Sequence, residues 1–265
     1  MRLSRRKGIL ALIGGAEKRT GKKRLLRRIV KLRPTRKVVL IPSASQYPRE
    51  VGRDYKSAFY DLGVEKVDLL DVRSREEADS PEHSEKVDAA DLIFISGGDQ
   101  VRLVDVIGGT ELLEHLWRRF RQGATIAGTS AGAAAASDPM IFDGQEKGLY
   151  KGRVGCGPGF GFIGSITIDT HFVVRYRIPR LAQFLASGRS SRGIGLAENT
   201  AIIINPDGIA EVAGSGTITL LNSSRMTYNN FSVIEDDKPV SVHGLKLGFL
   251  SEGMRFNLNK WSVVA

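Results

Sequence analysis

The chain has 265 residues, 42% of them apolar and 26% charged, which is a globular balance and excludes collagen-like, coiled-coil and disordered classes. A lone cysteine, Cys156, excludes an intrachain disulfide framework, and no apolar run approaches the ~18–20 residues of a membrane-spanning helix. The net charge of +10 is uneven: residues 1–37 hold 15 Lys/Arg against one acid, Glu17, whereas the rest holds 24 Lys/Arg against 28 Asp/Glu. The basic segment contains no aromatic residue, which disfavours a stacking platform for single-stranded nucleic acid. It reads as the solvated face of an early helix. Residues 1–265 read as one domain.

The first apolar run, Ile9–Ile13, follows Arg2, Arg5, Arg6 and Lys7 and so imitates a secretory signal. It is short for one and lacks a following Ala-x-Ala site, so a buried strand ending in Gly14-Gly15 and a cytoplasmic protein are expected. A helix over Lys22–Lys31 follows from Leu25, Leu26, Ile29 and Leu32 at helical spacing. Strands are expected at Val38–Ile41, Lys66–Leu70, Asp91–Ile95 and Ala124–Gly128, and helices at Asp54–Leu62, Glu111–Gln122 and Ala131–Ser137. Ser80–Ser84 reads as a surface loop. Such alternation predicts a mostly parallel sheet covered by helices on both faces. After Asp138 the pattern changes. Residues 144–164 are glycine-rich, and short strands at Ala201–Ile204, Ala210–Ala213 and Thr217–Leu221 read as antiparallel additions to the same sheet.

Gly128-Thr129-Ser130-Ala131-Gly132 has the G-x-S-x-G pattern of a nucleophile elbow. A serine turned sharply between strand and helix needs small residues two before and two after it, which Gly128 and Gly132 supply. Its place at a helix N-terminus favours developing negative charge. Of the four histidines, His83 and His115 fall in a polar stretch and on a helix, and His243 lies among the C-terminal strands. His171 ends the strand-like run Ile166–Phe172, where a base can meet the elbow. A carboxylate should orient that imidazole. Glu198, in a turn before a strand, is the stronger candidate, and Asp169 is the rival, although residues i and i+2 of one strand do not face each other. The order Ser, His, Glu differs from that of the α/β-hydrolases. No His/Cys/Asp cluster has metal-ligand spacing, so neither metal nor cofactor is expected.

Ile13-Gly14-Gly15-Ala16-Glu17, Ile41-Pro42-Ser43-Ala44-Ser45, Gly97-Gly98-Asp99-Gln100, the elbow, Asp169-x-His171-Phe172 and Arg175-x-Arg177-x-x-Arg180-Leu181 occur in this order. Together they resemble the cyanophycinases, serine peptidases of the peptidase E and class I glutamine-amidotransferase-like superfamily. The likeness runs from about residue 8 to about residue 250. It implies a flavodoxin-like α/β fold, a homodimer, and a triad on Ser130, His171 and Glu198. The substrate would be cyanophycin, a poly-aspartate with arginine on each β-carboxyl, released as β-Asp-Arg dipeptide. The oxyanion would be held by the N–H groups of Ala131 and Gly98. The family's substrate cleft falls on Gln100, Asp169, Thr170, Arg175, Arg177 and Arg180. If extended, the stretch puts Arg175 and Arg177 on one side, and Pro179 starts the next helix. The chain departs from the family pattern at Thr170, where the family has glutamine, at Lys18, where it has an acid, and in the loop Ile141–Phe162. Small aspartyl or isoaspartyl peptides are therefore a second possible substrate, and a basic-segment binding protein is a reading of another class.

Overall fold

A computed structural model describes residues 8–144 and 148–264. Arg2, Arg5, Arg6 and Lys7 of the basic segment lie outside the described residues.

Five short strands, β1 (Leu10–Ile13), β2 (Lys37–Ile41), β3 (Lys66–Leu69), β4 (Leu92–Ile95) and β5 (Thr125–Thr129), pair in parallel in the order β1-β5-β4-β2-β3. Apart from the edge strand β3 they are largely apolar, because each is covered on both faces. Alternation along β1 shows this: Leu10 and Leu12 enter one core layer, whereas Ala11 and Ile13 enter the other. The layer on one face holds Leu25, Leu26 and Ile29 of helix Arg24–Val30 and Tyr55 and Phe59 of helix Pro48–Tyr60. The opposite layer holds Leu103 and Ile107 of helix Gln100–Ile107 and Leu112, Leu116 and Phe120 of helix Glu111–Gln122. Beyond β1 the sheet becomes antiparallel, through Thr200–Ile204, Ile209–Gly214, Arg255–Asn257 and Ser262–Val264, giving nine strands.

Three expectations change. The strand Ile218–Asn222 does not join the nine-stranded sheet. It enters a second sheet of four strands, with Lys246–Leu250 on one side and Arg192–Leu196 and then Ile166–Asp169 on the other. The last two run parallel, joined by helix Ile178–Ala186, and Ile168, Ile194 and Leu220 share a core layer with Leu12 and Ile126 of the large sheet. Residues 80–84 form no loop, because Pro81 opens a helix to Asp88 that buries Ser84 and Val87. Proline is well placed in a first helical turn, where no N–H is needed. Helix Pro48–Tyr60 likewise begins at its proline, six residues before the apolar spacing announces it.

The three neighbouring strands β1, β5 and β4 bring their carboxyl ends together, and each ends in a glycine-rich turn: Gly14-Gly15, the elbow, and Gly97-Gly98. Ligands in open α/β sheets bind at that edge. Helix Ala131–Ala134, leaving β5, runs so close to the end of β4 that a Cβ on Gly132 would lie 2.4 Å from the Ile95 carbonyl oxygen. Gly132→Ala therefore forces the helix away from the Ile95 backbone. It is expected to cost about 1–3 kcal/mol, read as a lowered melting temperature by circular dichroism.

Candidate active site

Ser130 stands between β5 and helix Ala131–Ala134 at φ +50°, ψ −109°. Only outside constraint keeps a non-glycine residue in this region. Part of the constraint is the Ser130 N–H, which donates to the Ile13 carbonyl at 3.0 Å. Two further donors reach the next two carbonyls of the same turn. His171 N–H donates to Gly14 O at 2.8 Å and Asn199 N–H to Gly15 O at 2.8 Å. His171 and Asn199 themselves have φ +49° and φ +48°, and Ala16 has φ +52°. Three consecutive carbonyls at the end of β1 thus fix the backbone at or beside all three expected residues.

The side chains follow. Ser130 Oγ lies 2.9 Å from His171 Nε2, and His171 Nδ1 lies 2.6 Å from Glu198 Oε1. With the ring proton on Nδ1 donated to the carboxylate, Nε2 is left to accept from the serine hydroxyl. The imidazole packs on Gly15, where a Cβ would sit 2.4 Å from its Cε1 atom. Glycine is therefore required there both for contact and for its φ of +97°. Gly97 abuts the serine as well, with a Cβ position 3.1 Å from Ser130 Cβ. This places the Gly97-Gly98 turn beside the hydroxyl, while Ala131 is the first residue of the helix that Ser130 caps.

The remaining expected residues are arranged differently. Asp169 is buried, and so are Arg177 and Arg180, which it binds. Arg180 Nε donates to Asp169 Oδ2 at 3.0 Å and its Nη2 to Oδ1, while Arg177 Nη1 reaches Asp169 Oδ1 at 3.3 Å and the Thr170 carbonyl at 2.7 Å. In this structure these groups face one another, because a buried carboxylate and buried guanidiniums are held most cheaply as ion pairs. Thr170 is also buried. The stretch after His171 is a turn and not extended, so Arg175 is exposed while Arg177 is buried. Gln100 spends its amide on the chain, donating to Phe142 O at 3.2 Å and Ile141 O at 3.4 Å. The other histidines are remote in kind: His115 meets Asp88, His243 meets Thr227, and His83 meets the Glu77 carbonyl.

A profile of peptidase family S51 matches residues 10–212. The chain belongs to this family. The S51 peptidase is 35% identical over 262 residues to a cyanophycinase of Nostoc sp., covering 97% of this chain and 88% of that one. It is 34% identical over 250 residues to a cyanophycinase of Geminocystis herdmanii, covering 93% and 92%. Its fold is that of a peptidase from an acI-B1 Actinobacterium, with a TM-score of 0.73 at 22% identity, covering 96% of this chain and 98% of that one. A putative peptidase E of Listeria monocytogenes aligns with a TM-score of 0.56 at 17% identity, covering 79% and 99%. The molecule is thus a hydrolase of peptide bonds. Among the described residues no helix is long and apolar enough to cross a membrane.

Beside the S51 peptidase's elbow sits a group that the motifs contain without marking. Glu17 is buried, and its carboxylate accepts hydrogen bonds from Thr129 Oγ1 at 2.6 Å and from Tyr55 Oη. Its signal in the sequence is that of a single acid in a strongly basic stretch. Burial, and then the adjacent Glu17 charge, raise the Tyr55 pKa well above the usual 10.0. Because the folded pKa is raised, Tyr55 contributes stability that is whole below pH 10.0 and is lost as pH climbs toward the folded value. Wild-type stability to denaturant should fall with pH in that alkaline window, and Tyr55→Phe should remove that part of the fall. A second outcome concerns the buried ion cluster. Asp169→Asn leaves two guanidiniums without their carboxylate and is expected to cost about 3–5 kcal/mol, measured by urea unfolding.

Proposed function

We propose that this S51 peptidase is a serine-type hydrolase of cyanophycin that forms an acyl-enzyme on Ser130 and releases β-Asp-Arg dipeptide. The observation that carries the reading is the unbroken chain Ser130 Oγ–His171 Nε2–His171 Nδ1–Glu198, with contacts of 2.9 and 2.6 Å. It occurs in a chain 35% identical to a cyanophycinase across 97% of its length. His171 takes the hydroxyl proton as Ser130 attacks the scissile carbonyl carbon, and Glu198 holds the ring and balances the imidazolium. Glu198 is partly exposed, with 40% of its side chain accessible, whereas His171 shows only 15%. The N–H groups of Ala131 and Gly98 receive the oxyanion. His171 then gives its proton to the leaving amine, and water, activated by the same ring, releases the acyl group. Arg175, exposed one turn beyond His171 with its N–H on the His171 carbonyl at 3.1 Å, is the cation assigned to a substrate carboxylate. A homodimer in the cytoplasm completes the reading.

The inward-facing Asp169, Arg177 and Arg180 and the buried Thr170 favour one alternative, a peptidase of small aspartyl or isoaspartyl peptides that needs fewer polar contacts. The two part on one assay. Incubation with purified cyanophycin, followed by mass spectrometry, is expected to yield soluble Asp-Arg dipeptide, and inertness on granules with turnover of aspartyl dipeptides would select the alternative. Ser130→Ala should abolish labelling by a fluorophosphonate probe, and undiminished labelling would refute the nucleophile.

A further inference from the structure

We infer that Glu17 is a positioning residue for the reaction, clamping the turn after β1 to the strand that carries Ser130. The inference rests on the reading of Ser130 as nucleophile.

Its geometry is unusual for a residue kept only for packing. The carboxylate is 6% exposed and lies between Thr129, 3% exposed, and Tyr55, 4% exposed. Thr129 ends β5 and immediately precedes the serine, while Tyr55 stands on helix Pro48–Tyr60. One carboxylate therefore ties three elements, and both its partners are neutral hydroxyls. Among the described residues it makes no ion pair. Burying a carboxylate against neutral hydroxyls is costly, and an apolar side chain would fill the space more cheaply. What the anion supplies is direction. A carboxylate only accepts, so both hydroxyls must donate to it, and their rotamers are fixed. Tyr55 remains a donor because burial and the Glu17 charge hold its proton on.

The consequence falls on both reacting groups. Glu17 follows Ala16, held at φ +52°, and Gly15, on which the His171 ring packs and whose carbonyl receives Asn199. A slackened turn would shift His171 and Glu198 together, while Thr129 would release the strained serine. Small displacements of this sort are expensive when two groups must meet at hydrogen-bond distance.

The test is the rate of Ser130 phosphonylation by a fluorophosphonate, separated into kinact and KI, for full-length Glu17→Gln, Thr129→Val and Thr129→Ser beside wild type. Melting by circular dichroism runs in parallel. Glu17→Gln and Thr129→Val should lower kinact roughly tenfold or more while KI and cooperative melting stay near wild type. Thr129→Ser, which keeps the hydroxyl, should restore the rate. Wild-type kinact in Glu17→Gln, or equal rates in the valine and serine variants, would overturn the proposal. Should Glu17→Gln not fold, the valine–serine pair alone decides. Ser130→Ala separates the premises: labelling that survives it sinks the nucleophile, whereas a dead Ser130→Ala beside a fast Glu17→Gln sinks only the positioning role.

Discussion

Three backbone hydrogen bonds, from Ser130, His171 and Asn199 to the successive carbonyls of Ile13, Gly14 and Gly15, hold this molecule's site together. Each donor belongs to a different part of the chain. Each of the three residues also has a positive φ that it would not keep alone. The end of a buried strand is a suitable place for such a hub. β1 is inaccessible along its whole length and paired on both sides, parallel to β5 and antiparallel to Thr200–Ile204. Its last carbonyls therefore move only if the sheet moves. A strained serine can be maintained there because the strain is small beside the burial that fixes its surroundings.

Charge is handled in two ways around this hub. On one side Asp169 binds both Arg177 and Arg180 inside the protein, so one carboxylate is shared by two guanidiniums. This cluster also braces the turn that returns from His171 into helix Ile178–Ala186, since Arg177 holds the Thr170 carbonyl. On the other side Glu17 is buried against hydroxyls alone. The first arrangement is what a buried ion needs for stability. The second sets a buried carboxylate close to the elbow, and its directional demand on Thr129 and Tyr55 is the more specific of the two.

Much of this was legible before any coordinates. The alternation of apolar runs with amphipathic stretches marked β1 to β5 closely, and Glu111–Gln122 to the residue, because a strand covered on both faces is a continuous apolar run and a one-sided helix is not. The elbow was legible because its steric requirements are local: glycine at 128 and 132 around a serine. Less legible were helix starts set by Pro48 and Pro81, where one residue overrides the apolar spacing, and the second sheet, whose strands are short apolar stretches like those of the first. The family resemblance placed Asp169, Arg177 and Arg180 in the substrate cleft, and their pairing with one another was not legible because it spans a turn whose path the sequence does not set.

The amino-acid pattern by itself determined an α/β sheet, a serine at a sharp bend and a short set of partners for it, because those features depend on residues near one another in the chain. Tertiary structure decided that His171 and Glu198 line up on that serine, that three charged side chains turn inward, and that Glu17 reaches Thr129. Those are contacts across dozens of residues, and only the packed sheet sets the distances over which a hydrogen bond or an ion pair can act.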